Sequence, residues 1–167
     1  MTTASVNYQL AEQLGQALCQ GGLWVTAAES CTGGGVAHAI TEVPGSSAWF
    51  GCGFVTYANS AKHRLLGVSE ALLAAEGAVS EPVVVQMAEG ARAASGADFA
   101  VAISGIAGPG GGSSDKPVGT VWFAWATPEG TQSKKYLLSG DRGSVREQAI
   151  EISLKELLHQ VTGYNTV

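Results

Sequence analysis

Leu23-Trp24-Val25-Thr26-Ala27-Ala28, followed at once by Glu29-Ser30-Cys31-Thr32-Gly33-Gly34-Gly35 and then by Val36-Ala37-His38-Ala39-Ile40, is the stretch that decides the fold. The first six residues are apolar and partly β-branched, and they end in turn-forming residues, so they read as a short buried strand. Three consecutive glycines cannot continue a strand, and the small and apolar residues beyond them restore helical character. Strand, glycine-rich turn and helix in direct succession form the opening unit of an α/β sheet.

Upstream, Val6, Leu10, Leu14 and Leu18 stand four apart, which puts them on one stripe of a helix over residues 5–20, closed by Gly21 and Gly22. Downstream, residues 49–57 read as a strand, with Asn59 as N-cap of a short helix carrying Lys62 in its first turn. Helices are expected over 69–76 and 81–95, the second opened by Ser80 and Pro82 and closed by Gly96. Residues 99–103 form the next strand. Ser104 to Pro117, with five glycines and two prolines, cannot hold regular structure and makes the longest loop. Residues 118–127 and 131–138 form a hairpin around Pro128-Glu129-Gly130, and a last helix runs from about Ser144 to Val161. The alternation predicts a three-layer α/β/α sandwich with a mixed, mostly parallel sheet, formed as one domain by residues 1–167.

Composition narrows the function classes. The chain has 167 residues, 46% hydrophobic and 14% charged, with 23 glycines, a balance that excludes intrinsic disorder. The formal net charge of −5 argues against nucleic acid as a partner, so any phosphate must be held locally. Met1 to Leu10 carries no targeting pattern and no apolar run is long enough to span a bilayer. Cys19, Cys31 and Cys52 match no zinc or disulfide framework, and a reducing cytoplasm is expected. His38, His63 and His159 are scattered, so no metal is expected.

Three constellations can carry chemistry. Ser46 and Ser47 after Gly45, with Tyr57 and Lys62, offer hydroxyl, phenol and amine; a serine attacks an amide only when a base takes its proton, and a lysine serves if it is held neutral. From spacing alone the same residues also read as helix-capping serines and a solvated lysine beside His63 and Arg64. The two glycine-rich loops, with Gly33, Gly34, Gly105 and Gly108, offer free N–H groups for an anion, to which Ser30, Thr32 and Ser104 add hydroxyls; they read equally as plain turns. Arg142 and Arg146 lie one helical turn apart and suit a phosphate or ion pairs with Asp141 and Glu147. Cys31, near a helix start, is a rival nucleophile or a small buried residue.

Five blocks in order, Ala28 to Gly34, Val43 to Phe50, Gly53 to Tyr57, Gly77 to Ser80 and Ser104 to Gly111, resemble the CinA C-terminal family over roughly residues 5–160, and within it the stand-alone nicotinamide-nucleotide amidohydrolases. The resemblance implies hydrolysis of the carboxamide of nicotinamide mononucleotide without a cofactor, with Ser47 as nucleophile, Lys62 as base and Tyr57 as accessory hydroxyl. It implies that Ser30 and Ser104 line the site, that Arg142 or Arg146 meets the phosphate, and that the chain forms a homodimer or larger homo-oligomer. A non-catalytic nucleotide-binding module would use the same loops and arginines without needing a neutral lysine beside a serine.

Overall fold

The computed structural model describes residues 4–167; Met1 to Thr3 lie outside the described residues. Chain order is α1 (Val6–Gly21), β1 (Val25–Glu29), α2 (Gly35–Thr41), β2 (Phe54–Val55), α3 (Asn59–Leu66), α4 (Glu70–Glu76), α5 (Glu81–Ser95), β3 (Phe99–Gly105), β4 (Thr120–Thr127), β5 (Gly130–Leu137) and α6 (Arg142–Asn165). The sheet order is β2-β1-β3-β4-β5. β1 pairs in parallel with β2 and β3, whereas β4 is antiparallel to both β3 and β5, so β4 alone runs backwards. Its reversal follows from the connection: the loop between β3 and β4 contains no crossover helix, and a parallel return needs one.

The layers follow from period-two alternation in the central strands. Phe99, Val101 and Ile103 of β3 and Val121, Phe123 and Trp125 of β4 point to one face, where they join Leu14, Leu18, Leu154 and Leu157 of α1 and α6. Ala100, Ala102, Ala124 and Ala126 point to the other, against Val83, Val84, Met87 and Ala88 of α5. Each fully buried large side chain contributes roughly 1.5–3 kcal/mol, so the face toward α1 and α6 supplies most of the apolar stabilisation. The alanine face allows α5 to sit close to the sheet.

Several boundaries differ from the sequence-based expectation. The strand expected over residues 49–57 is reduced to Phe54–Val55 plus an isolated bridge between Phe50 and Val25, because Gly51-Cys52-Gly53 interrupts it and the Cys52 carbonyl accepts from Thr26 Oγ1 at 2.7 Å. Asn59 is the first residue of α3 rather than its cap; Ala58 takes that place, without a side-chain bond. The last helix starts earlier, capped by Asp141 Oδ1 on Ser144 N at 2.8 Å, and runs past Gly163 to Asn165, whose amide donates to the Ala17 carbonyl at 2.8 Å.

α3 carries Lys62 and rests on α5 at Gly90, where a Cβ would overlap the carbonyl oxygen of Leu66. Gly90→Ala is therefore expected to destabilise the fold by roughly 1–3 kcal/mol, read as a fall of about 2–4 °C in Tm per kcal/mol in differential scanning calorimetry.

Candidate active site

Three parallel strands end side by side at their carboxyl ends: β1 runs on into Ser30, β2 runs on into Thr56 and Tyr57, and β3 closes with Ser104 and Gly105. Ligand sites in open α/β sheets form beyond such carboxyl ends. A cleft of about 200 Å³ opens there, walled by Ser30, Tyr57, Lys62, Ala78, Ser104 and Arg142.

Lys62 is the centre of this cleft. Although His63 and Arg64 beside it are exposed, the Lys62 side chain is only 1% exposed. Its Nζ donates to the Thr56 carbonyl at 2.7 Å, to Ser30 Oγ at 3.0 Å and to the Tyr57 carbonyl at 3.3 Å. Burial, which penalises the ammonium, lowers the amine from the ordinary 10.5 to about 8, partly opposed by Cys31. Removal from water is thus the cause. Once neutral, the amine has two hydrogens and one lone pair. Two of its three partners are carbonyls, which can only accept, so the lone pair is left for the Ser30 hydroxyl.

The loop that carries Ser30 is fixed by a residue to which the sequence reading assigned no role. Glu29 is 1% exposed, and its carboxylate accepts from Val36 N at 2.8 Å and Ala37 N at 3.1 Å, capping the start of α2. Its own carbonyl accepts from Thr56 N at 2.9 Å. An acidic residue that ends an apolar strand just before a helix was the available clue.

The remaining candidates divide. Ser104 is buried and donates to the Ala78 carbonyl at 2.8 Å, joining the Gly77–Ser80 segment to the cleft. Tyr57 is exposed at the mouth, where its hydroxyl accepts from Arg142 Nη2 at 3.2 Å; Arg142 Nη1 also donates to the Gly108 carbonyl at 2.8 Å. Gly105 closes β3 where a side chain would strike Val121. Thr32 is fully buried, its Oγ1 finds no partner among the described residues, and it does not line the cleft. Arg146, Gly33 and Gly34 line the opposite side of the glycine loop.

Ser46 and Ser47 are not brought to Lys62. They form a short 3-10 turn, Ser46–Ala48, tied by the Trp49 carbonyl to Val25 N at 3.0 Å, which is the opposite end of β1 from Ser30. Five residues of strand, at about 3.3 Å each, separate the two ends. Ser47 is exposed and Ser46 is buried; the hydroxyl beside Lys62 belongs to Ser30. Cys31 is buried, and burial foremost, with the Glu29 charge adding to it, pushes its thiol up to about 11, which keeps it protonated near neutral pH. Among the described residues no three His, Cys, Asp or Glu side chains gather as metal ligands.

The model of the CinA C-terminal domain matches residues 7–161. Nicotinamide-nucleotide amidohydrolase PncC of Escherichia coli (strain K12) is 59% identical over 159 residues, spanning 95% of this chain and 96% of that protein. The protein of the same name from Pseudomonas putida is 56% identical over 149 residues, spanning 89% and 93%. The crystal structure of competence/damage inducible protein CihA from Agrobacterium tumefaciens superposes with a TM-score of 0.91 at 42% identity, covering 95% of this chain and 98% of that one. The chain therefore belongs to the CinA C-terminal domain family.

Proposed function

We propose that this protein hydrolyses the carboxamide of nicotinamide mononucleotide to nicotinate mononucleotide and ammonia, in the recycling of pyridine nucleotides, with Ser30 as nucleophile and Lys62 as its base. The observation that carries this is the buried Lys62 Nζ at 3.0 Å from Ser30 Oγ. The relatives named nicotinamide-nucleotide amidohydrolase, at 59% and 56% identity, supply the substrate.

As Ser30 Oγ bonds to the carboxamide carbon, its proton passes to Lys62 and the carbonyl oxygen becomes an oxyanion, met by N–H groups of the glycine loop. Lys62 returns the proton to the nitrogen as the C–N bond breaks and ammonia leaves. Water then adds to the acyl-serine, giving its proton to Lys62, and the carboxylate departs as Ser30 is restored. One water is consumed and the residues end as they began.

The cleft, at about 200 Å³, lies below the roughly 300–1,000 Å³ of pockets that enclose whole drug-sized ligands. It suits a ring carboxamide, with the sugar phosphate left at the mouth beside Arg142 and Tyr57. The exposed free thiols of Cys19 and Cys52 fit a reducing cytoplasm. No helix among the described residues is long and apolar enough to cross a membrane.

Ammonia release from nicotinamide mononucleotide tests the assignment. Ser30→Ala should lose at least about 1,000-fold in kcat, and Lys62→Ala about 100- to 10,000-fold. Lys62→Arg should be as inactive as Lys62→Ala, because a guanidinium is never neutral in this range. Ser47→Ala, at an exposed turn, should stay within about twofold. Wild-type turnover that survives in Ser30→Ala overturns the assignment, and nucleotide binding without turnover by the wild type favours a binding module.

The amine must be neutral to accept the proton, so kcat/KM should rise with pH through about 8 and level off above it. Below that value it should fall about tenfold per pH unit. Cys31→Ala should keep wild-type kcat; a rate abolished by that substitution makes the thiol the nucleophile.

A further inference from the structure

Among the described residues that wall the cleft there is no carboxylate and no imidazole. Ser104 commits its hydroxyl hydrogen to the Ala78 carbonyl at 2.8 Å, and Arg142 its two terminal nitrogens to the Gly108 carbonyl and the Tyr57 hydroxyl. The Cys31 thiol, pushed up to about 11 by burial, stays protonated. Glu29 directly precedes Ser30, but its two carboxylate oxygens accept from Val36 N and Ala37 N at the start of α2. Lys62, 3.0 Å from Ser30 Oγ, is thus left to carry protons in both directions.

A single proton carrier fixes how the acyl-serine is resolved. Lys62 hands a proton to the departing ammonia, and the water that enters the vacated space gives a proton to the same amine. Deacylation is therefore acylation run backwards, with water in the place of ammonia. A space that releases ammonia also admits it, and admits other small uncharged nitrogen nucleophiles. Selecting water against them takes a polar group that holds water and rejects an amine. Tyr57 and Asn59 are the polar side chains left at the mouth, and a phenol or an amide hydrogen-bonds to a hydroxyl or an amine alike. Enzymes that shield a reactive intermediate close over it. Here Tyr57 is 62% exposed and Asn59 is exposed beside it, so the acyl-serine lies within reach of dissolved amines.

We propose that the same site is an acyltransferase, which passes the acyl group of the mononucleotide from Ser30 to small uncharged amines such as hydroxylamine. This rests on the Ser30–Lys62 assignment above. The amine nitrogen bonds to the acyl carbon and one of its protons passes to Lys62. The bond from that carbon to Ser30 Oγ then breaks, and Lys62 returns the proton to Oγ. Hydroxylamine yields the hydroxamic acid of nicotinate mononucleotide, ammonia regenerates the starting carboxamide, and nothing is oxidised or reduced. A protonated amine has no lone pair to offer, so only the uncharged fraction reacts.

The test incubates the wild-type protein with nicotinamide mononucleotide and increasing hydroxylamine at one fixed pH above neutrality. Hydroxamate and nicotinate mononucleotide are then separated by liquid chromatography with mass detection. Both products should form, and their ratio should double with each doubling of hydroxylamine and stay the same at every substrate concentration. Ser30→Ala and Lys62→Ala should lose both products together. Nicotinate mononucleotide released at an undiminished rate with no hydroxamate shows that the site selects water; it overturns the proposal and leaves the Ser30–Lys62 reading standing. Hydroxamate formed as fast without the protein overturns it as well. Continued release of nicotinate mononucleotide by Ser30→Ala removes the underlying assignment instead, so the two failures are told apart.

Discussion

A lysine amine shut away from water with only neutral oxygens around it is the constraint on which the rest of the site depends. Keeping Lys62 charged there is costly unless a carboxylate pairs with it, and its partners are a hydroxyl and two carbonyls. The shape of the neighbouring chain serves this arrangement. β2 is only two residues long, so Thr56 and Tyr57 leave the sheet early, and their carbonyls turn toward Nζ instead of a neighbouring strand.

The glycine loop meets that amine because it is tied down at both ends and behind. The Glu29 carboxylate binds the first free N–H groups of α2, where the helix dipole favours negative charge, and the Glu29 carbonyl holds Thr56 N. One residue thus links the strand bearing the hydroxyl, the helix behind it and the segment that cradles the amine. Ser104, through the Ala78 carbonyl, adds the opposite wall.

Much of this was legible in the sequence because its period is plain. The alternation of large and small residues from Phe99 to Ile103, the stripe from Val6 to Leu18 and the glycine stops after α1 and α5 identify elements with little tertiary help. The pairing of Ser30 with Lys62 was not legible in the same way. Ser47 and Lys62 lie close along the chain, but Ser47 precedes β2 and so sits at the amino end of the parallel strands, whereas Ser30 follows β1 and sits at the carboxyl end with Thr56 and Ser104. Which end a hydroxyl occupies depends on pairing direction, a long-range property. The burial of Lys62 between exposed neighbours was likewise hidden, since its helix is too short for a clear polar and apolar face. Arg142 and Arg146 look alike one turn apart, yet a glycine loop passes between them and gives them different sides.

α3 has eight residues, fewer than the roughly 12–15 an isolated helix needs to be even marginal in water. It persists because Lys62 and Leu66 are buried and α5 lets it approach at Gly90. The serine stands instead on a central strand paired on both sides. The two halves of the site therefore belong to regions of different local stability: a sub-global opening that frees α3 into solvent removes the Lys62 amine while the sheet and Ser30 stay in place. On warming, the protein should lose competence in a reversible, partial unfolding event well before its core melts, with the warm state still native in its sheet.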